Sequence, residues 1–182
     1  MNLPNKLTVL RVILVPFFVA AMMISFPGNI WAALAIFACA SITDLLDGKI
    51  ARAQGLVTTF GKFLDPLADK MLVMSALVCF TALGWCDAAA VIIILAREFM
   101  VSGLRLVTAN EGVVVAAGIW GKLKTAFTMV ALVAIMVVEA IAGHSTGVFI
   151  ANEVLVWISA VLTIISGWIY LKEYWAYIDP SK

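Results

Sequence analysis

Residues 44–69 read DLLDGKIARAQGLVTTFGKFLDPLAD and hold two pairs of aspartates, Asp44 with Asp47 and Asp65 with Asp69. Spacings of three and four put each pair on one face of a helix, so two neighbouring helices can present four carboxylates to a common point. Four such charges repel unless a cation holds them. An all-oxygen carboxylate set suits Mg²⁺ or Mn²⁺, whereas Zn²⁺ prefers Cys and His. The chemistry open to such a site is phosphoryl-type transfer. Two ions neutralise a diphosphate and stabilise the leaving phosphate, and a carboxylate takes the proton of the attacking hydroxyl.

Basic residues form the second group. Arg97, Glu98 and Arg105 interrupt an apolar run, and Lys122 and Lys124 open the next one in G-K-L-K-T. Arg97 lies ten residues beyond Asp87, about 15 Å of helix, which places it near mid-membrane. A cation there costs roughly 2.5–3.5 kcal/mol and calls for a polar cavity or a partner. Contact with Glu98 is one reading, disfavoured because adjacent helical positions point in different directions. Arg97, Arg105 and Lys122 together offer a pocket for a phosphorylated acceptor. For Lys124, snorkelling to lipid headgroups is the preferred account. Asn5, Thr8 and Arg11 recur every third residue, as either a solvated interfacial stripe or a substrate-facing one.

The elements that must position these residues are membrane helices. The chain has 182 residues, of which 64% are hydrophobic and 13% charged, with a mean hydropathy of +1.10. That apolar share far exceeds the share in soluble domains. The apolar runs predict an all-α membrane protein, a bundle of six transmembrane helices with a short N-terminal interfacial segment, forming a single domain over residues 1–182. The spans fall at about 7–26, 30–47, 59–83, 88–108, 122–142 and 154–171. Residues 49–59 read as a polar connection and 143–153 as an outer one. Asp44 lies about 21 Å of helix beyond Ile30, short of a full ~30 Å crossing, so the aspartates are recessed at the inner leaflet. A signal peptide is disfavoured by Arg11 within the first apolar run and by the lack of a clear cleavage site.

Charge distribution orients the bundle. With six spans and a cytoplasmic N-terminus, all 12 Lys and Arg residues lie on the cytoplasmic side or in the inner half, as do the four aspartates. Both termini are then cytoplasmic and the active site faces the cytoplasm. The net charge of +1 gives no reason to expect a nucleic-acid partner. His144 falls on the outer side, and Cys39, Cys79 and Cys86 have no metal-like spacing. Neither supplies a nucleophile near the aspartates. A divalent-cation transporter is the competing class, but it predicts acidic residues spread along several spans rather than gathered at one depth.

The pattern Asp44-x2-Asp47-Gly48-x2-Ala51-Arg52-x8-Gly61-x3-Asp65-x3-Asp69 resembles the signature of the CDP-alcohol phosphotransferase family at every specified position. The early NKLTVLR, the Arg97-Glu98 pair and G-K-L-K-T resemble a bacterial branch of that family. The resemblance implies transfer of the phosphatidyl group of CDP-diacylglycerol to glycerol 3-phosphate, in the inner membrane, by a homodimer. It implies that Asp44, Asp47, Asp65 and Asp69 bind two Mg²⁺ or Mn²⁺ ions and that Asp69 is also the general base. By the same resemblance, Gly48, Ala51, Arg52 and Gly61 line the cytidine diphosphate site, with Asn5 and Thr8 as weaker members. The signature does not name the acceptor, and serine and inositol phosphate are the alternatives.

Overall fold

In the computed structural model of the protein, the backbone is described for residues 3–54, 59–110 and 118–175, and side chains for 5–44, 67–68, 70–108 and 118–175. Every regular element among them is a helix: α1 (Leu3–Met23), α2 (Asn29–Gln54), α3 (Thr59–Ala82), α4 (Ala88–Asn110), α5 (Ile119–Ala142) and α6 (Thr146–Tyr174). The stretches Asn5–Met23, Ile119–Ala142 and Thr146–Tyr174 are long and apolar enough to cross a membrane, as expected of a membrane protein. The apolar parts of α2 and α3, Asn29–Asp44 and Lys70–Ala82, are shorter.

Element boundaries differ from the sequence expectation in three places. The first helix already begins at Leu3, and no separate segment precedes it among the described residues. Helix α2 runs on to Gln54 through what reads as a connection. Lys49, Ala51, Arg52 and Gln54 are good helix formers, and their polarity misled the reading. Helix α6 begins at Thr146 rather than near 154. Asn152 is buried there, and the carboxylate of Glu153 accepts the N–H of Asp87 just ahead of α4. Two polar residues that resemble loop composition thus serve contacts made from a helix.

The helical stops follow from local chemistry. Gly84 (φ 73°) and Gly143 (φ 68°) follow α3 and α5 in the left-handed region that glycine adopts without steric cost. The N–H of Gly143 closes the last turn of α5 on the carbonyl of Glu139 at 3.1 Å.

The chain falls into two compact units, Met1–Leu83 with Leu132–Ser145, and Gly84–Ala131 with Thr146–Lys182. In the first, α1 packs along both α2 and α3. Its core holds Phe18 and Phe37 with ring centroids 5.8 Å apart, and Ala33 and Ala40 on the α2 turns to either side of Phe37 are fully buried. Small residues at that spacing let helices approach closely in an apolar medium. In the second unit α4 packs on α6. The buried face of α6 is Asn152, Val156, Ser159, Ala160, Thr163, Ser166, Gly167 and Tyr170, a three-and-four spacing that is polar at most of its positions.

Candidate active site

In the first unit α2 carries Asp44 and Asp47 and α3 carries Asp65 and Asp69, and both helices rest on α1. The Asp44 carboxylate stands 2.6 Å from the Arg11 guanidinium of α1; the Arg11 side chain is 1% exposed and that of Asp44 37%. Asn5 and Thr8 are buried with Arg11, about two turns and one turn earlier on the same helix. The stripe therefore faces inward, which overturns the solvated-face reading. A buried guanidinium needs a counter-charge because leaving water costs several kcal/mol per ion. Asp44 supplies one, a partnership that the sequence reading missed because the spacing of the stripe does not give its direction.

The side chains of Asp47, Gly48, Ala51, Arg52, Gly61, Asp65 and Asp69 lie outside the described residues. Among the described residues no three His, Cys, Asp or Glu side chains gather into a metal-binding group. His144, at the end of α5, contacts the buried Glu139 carboxylate through Nδ1 at 3.1 Å.

The second unit holds the basic cluster. Arg97 donates to Glu98 Oε1 at 3.1 Å and to Ser166 Oγ at 2.6 Å, and its guanidinium carbon lies 5.5 Å from the Tyr170 ring centroid. The neighbour contact with Glu98 thus exists. Adjacent positions diverge at Cβ, but the long arginine side chain bends back far enough to meet the carboxylate. The Lys124 ammonium, buried rather than snorkelled, binds the same Glu98 oxygen. Sharing that carboxylate offsets the desolvation of two cations.

Arg105 is exposed on α4, two turns beyond Arg97. Its guanidinium carbon is 5.6 Å from the Tyr170 centroid, and it donates to the Tyr170 hydroxyl at 3.4 Å. The same hydroxyl accepts the N–H of Gly118 at 2.9 Å, at the start of α5. Lys122 is exposed one turn into α5. Two glycines make the packing possible. A Cβ at Gly167 would stand 2.8 Å from Arg97 Cγ, and one at Gly121 would stand 3.2 Å from the Tyr170 hydroxyl. The structure thus brings Arg97 and Arg105 to one aromatic ring and leaves Lys122 exposed nearby in the chain. Tyr170, Ser166 and Gly167 escaped the sequence reading, although the polar residues recurring along one face of α6 were a legible signal.

Among the described residues the cluster sets three cations, Arg97, Arg105 and Lys124, against one carboxylate, Glu98. A surplus of positive charge on rigid helices is suited to an anion. The sequence profile of the CDP-alcohol phosphatidyltransferase family matches residues 1–165. The chain belongs to that family. Three relatives of this phosphatidyltransferase span nearly its whole length. A Bacillus subtilis protein named CDP-diacylglycerol–glycerol-3-phosphate 3-phosphatidyltransferase is 39% identical over 197 residues, covering 100% of this chain and 99% of its own. A Rickettsia bellii protein of the same name is 40% identical over 171 residues, 94% of each chain. A Mycobacterium tuberculosis protein named probable phosphatidylglycerophosphate synthase is 39% identical over 176 residues, 94% of this chain and 81% of its own.

Proposed function

We propose that this family member transfers the phosphatidyl group of CDP-diacylglycerol to glycerol 3-phosphate, giving phosphatidylglycerophosphate and CMP. The near-full-length identity to relatives bearing that activity in their names carries this reading. The acceptor hydroxyl attacks the phosphorus that bears the diacylglycerol. The bond from that phosphorus to the bridging oxygen breaks, and CMP leaves with that oxygen. Asp69 takes the hydroxyl proton. No side chain of the chain is needed as a nucleophile, so the displacement is direct.

The donor set fits a hard cation, since the signature contributes carboxylate oxygens alone. Asp44, Asp47, Asp65 and Asp69 would hold two Mg²⁺ or Mn²⁺ ions, which neutralise the diphosphate when bound. Arg11 offsets part of the aspartate charge through Asp44. Gly48, Ala51, Arg52 and Gly61, with the buried Asn5 and Thr8, form the cytidine diphosphate end. Arg97, Arg105 and Lys122 hold the acceptor phosphate, and Glu98 and Ser166 fix the guanidinium of Arg97. A phosphate monoester near pH 7 carries about −1.5 to −2 charge. That suits the cationic surplus better than serine does.

The protein works as one domain of six membrane-crossing helices in the bacterial inner membrane. Both termini and the active site face the cytoplasm, a reading supported by the distribution of Lys and Arg, and two copies form a homodimer. The reading is tested by CMP release from purified protein in micelles of CDP-diacylglycerol and Mg²⁺, with glycerol 3-phosphate, serine or inositol phosphate supplied separately. Release with glycerol 3-phosphate alone is expected. Release with another acceptor would replace the reading of the basic cluster.

A further inference from the structure

Tyr170 is the residue on which the cations of the second unit converge. It is 4% exposed, and both guanidinium carbons of α4 lie within 5.6 Å of its ring centroid. Its hydroxyl accepts an N–H from Arg105 and the backbone N–H of Gly118. One side chain from α6 therefore touches two cations of α4 and the start of the helix that carries Lys122 and Lys124. Tyr174 stacks on it, with centroids 6.4 Å apart and planes at 22°.

This arrangement solves an electrostatic problem. Arg97 has Glu98 as a counter-charge, whereas Arg105 has no carboxylate partner among the described residues, and its guanidinium makes its polar contact there with Tyr170 alone. A carboxylate beside Arg105 would fix it but cancel the charge that an anionic ligand needs. An aromatic face attracts a guanidinium through the ring quadrupole, and a phenolic oxygen accepts its hydrogen bond; neither carries a formal charge. Arg105 is thus held in place with its charge intact. Gly121 belongs to the same device, because any side chain there would press on the hydroxyl at 3.2 Å.

We infer that Tyr170 is the positioning residue of the acceptor-phosphate end, aligning Arg105 and the first turn of α5 through its hydroxyl and Arg97 through its ring. The inference rests on the assignment of that cluster to the acceptor phosphate. The hydroxyl acts on binding of the phosphorylated acceptor and leaves the phosphoryl transfer step to the aspartate end. Loss of the hydroxyl alone therefore separates the two substrates kinetically.

The experiment compares Tyr170→Phe, Tyr170→Leu and Arg105→Ala in the full-length protein. Steady-state rates are measured against glycerol 3-phosphate and CDP-diacylglycerol, inorganic phosphate serves as an anionic inhibitor, and thermal unfolding is followed in detergent. Tyr170→Phe keeps the ring and the packing. It is expected to raise KM for glycerol 3-phosphate about 3- to 10-fold and to weaken inhibition by phosphate in parallel, a range set by the net worth of one ordinary hydrogen bond, since the contact to Arg105 is long at 3.4 Å. Its kcat, its KM for CDP-diacylglycerol and its unfolding midpoint stay near those of the parent protein. Tyr170→Leu, where it folds, raises the acceptor KM further. An unchanged acceptor KM in Tyr170→Phe, with a raised one in Arg105→Ala, overturns the role of Tyr170 and leaves the acceptor assignment standing. Unchanged values in both variants overturn the acceptor assignment itself. Equal losses toward both substrates in Tyr170→Phe reduce the residue to a structural part and overturn the inference.

Discussion

The two units treat charge in opposite ways. The first brings four aspartates in the signature, and one of them, Asp44, already meets a buried arginine from the neighbouring helix. The second brings Arg97, Arg105 and Lys124, two of which share one partly buried glutamate. Among the described residues of the second unit the positive majority is left in excess of one carboxylate, and in the first the proposed aspartate site would leave a negative majority in excess of the buried Arg11. An ion pair that cancelled all the charge would leave nothing for a ligand, and a cluster with no counter-ion would pay the full desolvation penalty. Partial neutralisation satisfies both requirements. The units differ in how the excess is restrained: Arg105 rests on an aromatic ring and a phenolic oxygen, which neutralise nothing.

The largest effect should come from the majority charge of the first unit. Asp69→Asn is expected to lower turnover about 10²- to 10⁴-fold, the usual contribution of a general base, while CDP-diacylglycerol binding persists. Full turnover would remove Asp69 from that role. Next are the two minority ions. Glu98→Gln leaves Arg97 and Lys124 without their shared counter-charge and should cost about 3–5 kcal/mol of stability, the penalty for breaking a buried pair. Arg11→Ala should cost less, about 1–3 kcal/mol, because the Asp44 side chain it abandons is 37% exposed and regains water. Unfolding in detergent measures both, and equal losses would erase the contrast in burial between the two pairs. Arg105→Ala should leave stability almost unchanged and raise the acceptor KM about 10-fold, the equivalent of roughly 1.4 kcal/mol. Gly121→Ala is the smallest. A gain of up to about 1 kcal/mol from helix propensity is offset by pressure on the Tyr170 hydroxyl, so the acceptor KM should move more than the unfolding midpoint does.

The sequence disclosed the helices well because each apolar run is bounded by turn chemistry, as Gly84 and Gly143 illustrate. It failed where polarity and helicity coincide, at residues 49–54 and 146–153. Period and length outweigh polarity when a helix end makes its own contacts, as Glu153 does with Asp87. The aspartate pattern stood out in the sequence because carboxylates three and four apart in an apolar chain have few uses, and of the four only the Asp44 side chain falls among the described residues. The basic cluster was legible only as a set of residue types. That Glu98 would also face Lys124, or that Tyr170 would gather two arginines, depends on contacts between residues 26 to 73 positions apart, which local pattern does not encode. The direction of the Asn5–Thr8–Arg11 stripe likewise waited on the packing of α1 against α2 and α3.

The length of α6 has a consequence for how two unlike substrates meet. At 1.5 Å per residue, Tyr170 lies about 36 Å along the axis from Thr146, farther than the ~30 Å depth of a hydrocarbon core. If Thr146 sits at one edge of the oily layer in an upright α6, the Tyr170 end emerges on the other side among headgroups and water. A water-soluble phosphate ester can then dock without partitioning into oil, while a diacyl substrate diffuses in laterally with its tails still solvated by lipid. On the proposed reading of the two sites, each substrate stays in the phase that dissolves it.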